Sequence, residues 1–211
     1  SSGAIGLGMG KLGLMDRPKD TPGKQACAAV GQCELMYLYD NLFSEYSITV
    51  AQLLLTKYIL LEDRRKNVEN ALERLISQGV IPVVNENDTV AIDELELEMG
   101  ENDSLAAVVA TIANADLLII MSDIDGLYDS DPRQNPDAKM IPVVREISED
   151  IHAVAGGAGT KFGTGGMATK IHAVEIAYES DIDVVLMNGQ HPKKLYELFE
   201  DKPVGTLFHK G

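Results

Sequence analysis

The chain has 211 residues, 45% of them apolar and 24% charged, a size and balance suited to one globular domain with an aliphatic core, since there is no Trp and aromatics make up 5%. With 18 basic and 33 acidic side chains the net charge is −15, which argues against the phosphate backbone of nucleic acids and against anionic membranes as partners. No apolar stretch approaches the roughly 20 residues that span a bilayer, no signal peptide is visible, and two cysteines that read as free thiols suit a reducing cytoplasm, the location expected.

The opening residues Ser1 to Ala4 read as a segment that follows a strand. Gly8-Met-Gly10-Lys-Leu-Gly13 matches G-x-G-x-x-G literally. No strand precedes it and a basic, Pro-containing stretch follows, so a mobile loop near the site is expected rather than a dinucleotide fingerprint. Gln25 to Tyr46 is expected to be a helix, with Ala, Val, Leu and Met at helical spacing. It carries both cysteines, Cys27 and Cys33, which are six residues apart. They fall on different helix faces, so neither a local disulfide nor a metal knuckle fits. Ser47 to Thr56 reads as strand. Glu62 to Gln78 reads as an amphipathic helix closed by Gly79, and Val80 to Asn85 as a short buried strand.

A polar loop runs to Gly100. A helix is expected over Asp103 to Ala115, capped by Asn102 or Asp103. Asp116 to Ser122 (DLLIIMS) is apolar throughout, as suits a parallel strand covered on both faces. After a long turn-rich loop come a helix over Met167 to Ser180, a strand over Asp183 to Met187 and a helix over Pro192 to Glu200. The alternation implies βαβ units, hence an α/β fold with a mainly parallel sheet between helical layers. Such sheets bind ligands at the carboxyl ends of their strands. Attention therefore falls on Asn85 to Asp88, Ser122 to Gly126 and Asn188 to Gly189.

Gly163 to Lys170 (GTGGMATK) combines three glycines, two threonines and a lysine ahead of a helix. It is compatible with a phosphate cradle of backbone N–H groups and a helix N-terminus, and equally with a flexible loop and a solvated lysine. It is not a Walker A loop, because Lys170 follows Thr169 and precedes Ile171. Asn85-Glu-Asn-Asp88 and Glu101-Asn-Asp-Ser104 offer carboxylates and amides that could hold an ammonium group, orient a lysine or bind Mg²⁺ through water. The same residue types also serve turns and caps. Ser122-Asp-Ile-Asp125-Gly126 suits a nucleotide contact or a cap. His152, His172, His191 and His209 form no ligand or triad pattern, and no metal site is read from the residues.

Taken in order, SSGAI at Ser1, AAVGQ at Ala28, LFSEY at Leu42, QLLLT at Gln52, IPVVNENDTVA at Ile81, ENDSLAA at Glu101, SDIDGLYDSDPR at Ser122, GTGGMATK at Gly163 and VGTLF at Val204 resemble the bacterial glutamate 5-kinases of the amino acid kinase family. The resemblance covers essentially the whole chain. It implies a three-layer α/β/α sandwich and ATP-dependent phosphorylation of the L-glutamate side chain to L-glutamyl 5-phosphate, the first step of proline synthesis. It implies ATP and Mg²⁺ as cofactors. By motif, Ser2, Asp88 and Asn102 resemble the glutamate contacts. Ser122, Asp123 and the run Thr164, Gly165, Gly166, Met167, Ala168, Thr169 and Lys170 resemble the nucleotide contacts. Asp103 resembles the acid that orients the catalytic lysines, and Lys170 the lysine that stabilises the transferring phosphate.

Proline as feedback inhibitor, glutamyl phosphate reductase as pathway neighbour and a homo-oligomer are implied in the same way. Family members begin with a strand, a lysine and a Gly/Ser phosphate loop ahead of SSGA, and many carry a C-terminal PUA domain. Residues 1–211 are therefore expected to be a single amino acid kinase domain truncated at its N-terminus. Weak or no activity is expected of those residues by themselves. Other readings are a family member acting on aspartate, acetylglutamate, carbamate or a nucleoside monophosphate, and a non-catalytic regulatory module.

Overall fold

Strand Asp183–Asn188 (DVVLMN, β5 below) has its four central residues buried, and alternate side chains leave it in opposite directions. The computed structural model that reveals this describes residues 1–56, 59, 61–90, 102–157, 166–200 and 202–210. It divides into two compact units, Ser1–Asn102 and Asp103–Gly211.

The first unit contains α1 (Ala4–Leu12), α2 (Thr21–Ser44), β1 (Val50–Leu55), α3 (Glu62–Ser77) and β2 (Ile81–Glu86). Strands β1 and β2 pair in parallel, from Val50 opposite Ile81 to Leu55 opposite Glu86, with α3 as the crossover that a parallel pair requires. Helix α3 carries Glu62 and Asp63 in its first turn and Arg74 in its last, the polarity that complements the helix dipole. It stops at Gly79, whose φ of 72° is left-handed. Helix α2 starts at Thr21, earlier than the apolar spacing suggests. Asp20 caps it by accepting a 2.9 Å bond from Gly23 N–H, and a proline sits in its first turn.

Residues Gly8 to Gly13, expected to be a mobile loop, belong to or cap α1. Glycine normally weakens a helix by about 1 kcal/mol relative to Ala, which is why the segment reads as loop. Here the glycines permit close approach of α1 and α2. A Cβ on Gly8 would lie 1.9 Å from the Cys27 carbonyl oxygen, and one on Gly31 would lie 1.7 Å from that of Ala4. Gly13, with φ 67°, closes α1.

The second unit contains α4 from Asp103 onward (the helix spans Asn102–Ile112), β3 (Leu117–Ser122), β4 (Val143–Val144), α5 (Glu149–Gly157), α6 (Met167–Tyr178), β5 (Asp183–Asn188), α7 (Lys194–Leu198) and β6 (Thr206–Phe208). The sheet order is β3-β5-β6-β4. Pairs β3–β5 and β4–β6 are parallel, while β5–β6 is antiparallel. Val184 and Leu186 face one apolar cluster with Ala107 and Ala110 of α4 and Ile171, Val174 and Ala177 of α6. Val185 and Met187 face the other, with Leu195 and Leu198 of α7 packed against it. Within this unit the sheet is thus covered by helices on both faces. Burying each of the Val, Leu, Ile and Met side chains among them contributes up to about 1.5–3 kcal/mol. Strands β4 and β6 and helix α5 were not read from the sequence, and α7 is shorter than Pro192 to Glu200.

Cys27 is buried and Cys33 exposed on α2, and both are free thiols. Among the described residues no helix is long and apolar enough to cross a membrane.

Candidate active site

The first unit holds a cavity of about 440 Å³ lined by Ser2, α1's first turn, Arg17, Asn85, Glu86, Asp88 and Asn102. Three residues singled out from the sequence, Ser2, Asp88 and Asn102, therefore share one wall. Each is placed by a different element. Ser2 precedes Gly3, whose φ of 93° turns the chain into α1, a conformation that costs glycine little. The N–H groups of α1's first turn have no intrahelical acceptors, and no side chain caps them. Asp88 follows β2, and Asn102 is the first residue of α4.

Helix α2 braces this wall. Next to the close-packed Gly31, Gln32 accepts a 3.0 Å bond from Asn85 Nδ2, and Asn85 Oδ1 accepts one of 3.0 Å from Glu86 N–H. Asn85 is 4% exposed, so this pair fixes the end of β2 in the core. The other amide hydrogens of Gln32, on Nε2, are buried without an acceptor. Burial pushes the Asp88 carboxyl above the ordinary carboxylate range, and the nearby Arg17 charge partly offsets it.

In the second unit Lys170 Nζ donates a 2.9 Å bond to Asp103 Oδ2, with 11% and 22% of the two side chains exposed. The two residues are 67 positions apart. They meet because α4 and α6 both pack on the same face of the sheet. Thr169 Oγ1 is 3.4 Å from the same carboxylate oxygen and 2.8 Å from the Gly166 carbonyl. Gly166 is the extended N-cap of α6, and Met167, Ala168 and Thr169 form its first turn. Thr164 and Gly165, with Gly163 and Glu101, lie outside the described residues.

Ser122 ends β3 and bonds to Asp123 Oδ1 at 3.1 Å, while its carbonyl accepts a 2.8 Å bond from Gly189 N–H after β5. Asn188 Nδ2 donates to Asp125 Oδ1 at 3.1 Å. The carboxyl ends of β3 and β5 are thereby tied together, as the parallel register of Ser122 with Asn188 requires. Among the described residues no group of three or more His, Cys, Asp or Glu is arranged to hold a metal ion.

Two features escaped the sequence reading. The Gln32–Asn85 pair spans 53 positions, and nothing local announces it. Arg17 sits in the segment between α1 and α2 that reads only as a basic loop.

A sequence profile of the amino acid kinase family matches residues 1–188. A Clostridium perfringens protein named glutamate 5-kinase is 52% identical over 211 residues, covering 99% of this chain and 78% of the relative. A Clostridium tetani protein of the same name is 50% identical over 210 residues, with coverage of 99% and 78%. Among solved structures, a T. acidophilum isopentenyl phosphate kinase product complex aligns with a TM-score of 0.61 at 19% identity. That alignment covers 96% of this chain and 78% of the other.

Proposed function

The chain belongs to the amino acid kinase family, and from that premise we propose that it transfers the γ-phosphoryl group of ATP to the side-chain carboxylate of L-glutamate, forming L-glutamyl 5-phosphate and ADP in the first step of proline synthesis. The observation that carries this reading is the 52% identity with a glutamate 5-kinase across 99% of the chain. The likeness to an isopentenyl phosphate kinase at 19% identity speaks to the fold alone.

The chemistry asks little of the acceptor. A side-chain carboxylate has a pKa near 4 and is ionised at neutral pH, so no general base is needed. One carboxylate oxygen forms a bond to the γ-phosphorus as the bond from that phosphorus to the β,γ-bridging oxygen breaks, and ADP leaves with the electron pair. The barrier lies in bringing two anions together, so positioning and charge neutralisation carry the catalysis. In this reading Ser2, Asp88 and Asn102 hold glutamate. Ser122, Asp123 and the residues from Thr164 to Thr169 hold the nucleotide. Lys170, oriented by Asp103, places its charge on the transferring phosphoryl group.

Mg²⁺ enters as the counter-ion of the ATP phosphates. This role of Mg²⁺ rests on the family resemblance and on the general use of the ion with nucleotide phosphates. The profile match runs through both compact units, which supports reading residues 1–211 as one kinase domain. Proline inhibition, a homo-oligomer, a cytoplasmic location and consumption of the product by glutamyl phosphate reductase belong to the same proposal and rest on the family resemblance.

The test compares ADP release from the full-length protein with glutamate, aspartate, acetylglutamate, carbamate and nucleoside monophosphates as acceptors. Glutamate is expected to dominate kcat/KM, and a preference for any other acceptor refutes the assignment.

A further inference from the structure

We propose that Arg17 is a specificity residue that recognises the α-carboxylate of the amino-acid acceptor, side by side with Asp88, which takes its ammonium group. The inference rests on the glutamate reading above and adds a contact to it. Glutamate at neutral pH carries two carboxylates and one ammonium group. The cavity that gathers Ser2, Asp88 and Asn102 also exposes Glu86 and Asp88 to it, and Arg17 is the one cationic side chain among the described residues that line it. In a chain with net charge −15, a dicarboxylate entering a wall with two acids needs a local cation.

A guanidinium meets that need with a planar fork that matches a carboxylate through two parallel hydrogen bonds. No salt bridge ties Arg17 to another described residue, and its side chain is exposed beside the cavity rather than packed away. It is close enough to Asp88 to act on that carboxyl electrostatically. A positive and a negative group lining one cavity form the complement of an α-amino acid head group, in which carboxylate and ammonium are attached to one carbon. The side-chain carboxylate is the wrong partner for Arg17. Its oxygen must attack phosphorus, and a guanidinium clamped on it would withdraw the electron density that the attack needs. Holding the inert end instead fixes the distance from the anchor to the nucleophile, which is what positioning requires.

Calorimetry on the full-length protein tests this with L-glutamate and with isoglutamine, in which the α-carboxylate is a carboxamide and the side-chain carboxylate is kept. Arg17→Ala is expected to weaken glutamate binding about 10- to 100-fold while leaving ATP affinity within about 2-fold of wild type. Isoglutamine, weak on the wild type, is expected to lose nothing further. Arg17→Lys is expected to recover part of the loss, since it restores charge without the fork. Kinetically the loss appears chiefly in the glutamate KM. Unchanged glutamate affinity in Arg17→Ala overturns the proposal, as does an equal loss for isoglutamine. If the wild type neither binds nor phosphorylates glutamate, the acceptor reading itself falls and takes this contact with it.

Discussion

Replacing Asp103 with Asn removes the counter-charge beside Lys170 without removing the lysine. The Lys170–Asp103 contact is 2.9 Å long, and its two side chains keep only 11% and 22% of their surface in solvent. At that separation and an effective dielectric of 20 the gross attraction is about 6 kcal/mol. Most of it is offset by the desolvation of both groups. What remains visible is the cost of removing one partner of the pair, about 2–3 kcal/mol, at the lower end for a buried pair because Asp103 retains solvent contact and Lys170 has a further interaction. Asp103→Asn should therefore lower stability by about 2–3 kcal/mol, read by denaturant unfolding.

Activity separates the two roles. Lys170→Ala removes the cation proposed to act on the transferring phosphoryl group and should reduce kcat about 10²- to 10³-fold, the usual loss when one transition-state donor is deleted. Asp103→Asn leaves the cation but frees its position, and should cost about 10- to 100-fold. If Asp103 acts through Lys170, the double variant should be no slower than Lys170→Ala by more than about 3-fold. ADP release at saturating ATP and glutamate measures all four corners of the cycle. Losses that multiply refute the coupling, and a Lys170→Ala enzyme within 10-fold of wild type refutes the role of the lysine.

Three further perturbations probe the candidate cavity and the helices that support it. Gly8→Ala should destabilise by about 2 kcal/mol or more, because its Cβ would lie 1.9 Å from a backbone oxygen and overpacking outweighs the gain in helix propensity; Gly10→Ala on the same helix meets nothing within 4 Å and should stabilise by about 0.5–1 kcal/mol, and thermal unfolding that ranks the two the other way round contradicts the seam. Gln32→Leu strands the buried Asn85 amide and should cost about 1–3 kcal/mol together with a rise in glutamate KM, and unchanged values for both would show that the brace is idle. Asp88 is held above the ordinary carboxylate range by burial, with Arg17 opposing, so glutamate KM should rise on acidification from a higher pH than the usual carboxylate value near 3.9, and Arg17→Ala should shift that limb higher still. The folded chain binds this proton more tightly than the unfolded one, so Asp88's contribution to stability falls as pH rises through the same window. A pH profile of KM that does not move in Arg17→Ala would count against the pairing.

The parts of the fold legible in the sequence are those whose signal is local. DLLIIMS reads as a parallel strand because it is apolar on both alternations, although Met121 is exposed and most of its other residues are half-buried; Asp183 to Met187 reads as a strand, and α3 as a helix because charge and Leu alternate at helical spacing ahead of a terminal glycine. Helix α1 was lost because its stability is not local. Gly6, Gly8 and Gly10 oppose a helix in isolation, and only contact with α2 makes two of the α1–α2 glycines, Gly8 and Gly31, an asset. Strand β6 is three residues long and β4 two, too short to show a period. At the candidate site, the motifs around Ser2, Asp88 and Asn102 drew attention to a cavity that they do line. Arg17 did not stand out, because an arginine before a proline in a loop acquires meaning only when that loop returns to the end of β2. The approach of Asp103 to Lys170 was expected through resemblance, not through any spacing in the chain.

The most direct measurement incubates the full-length protein with ATP, Mg²⁺, L-glutamate and hydroxylamine, which traps an acyl phosphate as its hydroxamate. The account predicts γ-glutamyl hydroxamate formed one for one with ADP, with both products formed about 10²- to 10³-fold more slowly by Lys170→Ala. ADP release without hydroxamate, or hydroxamate formed from another carboxylate in preference to glutamate, would contradict it.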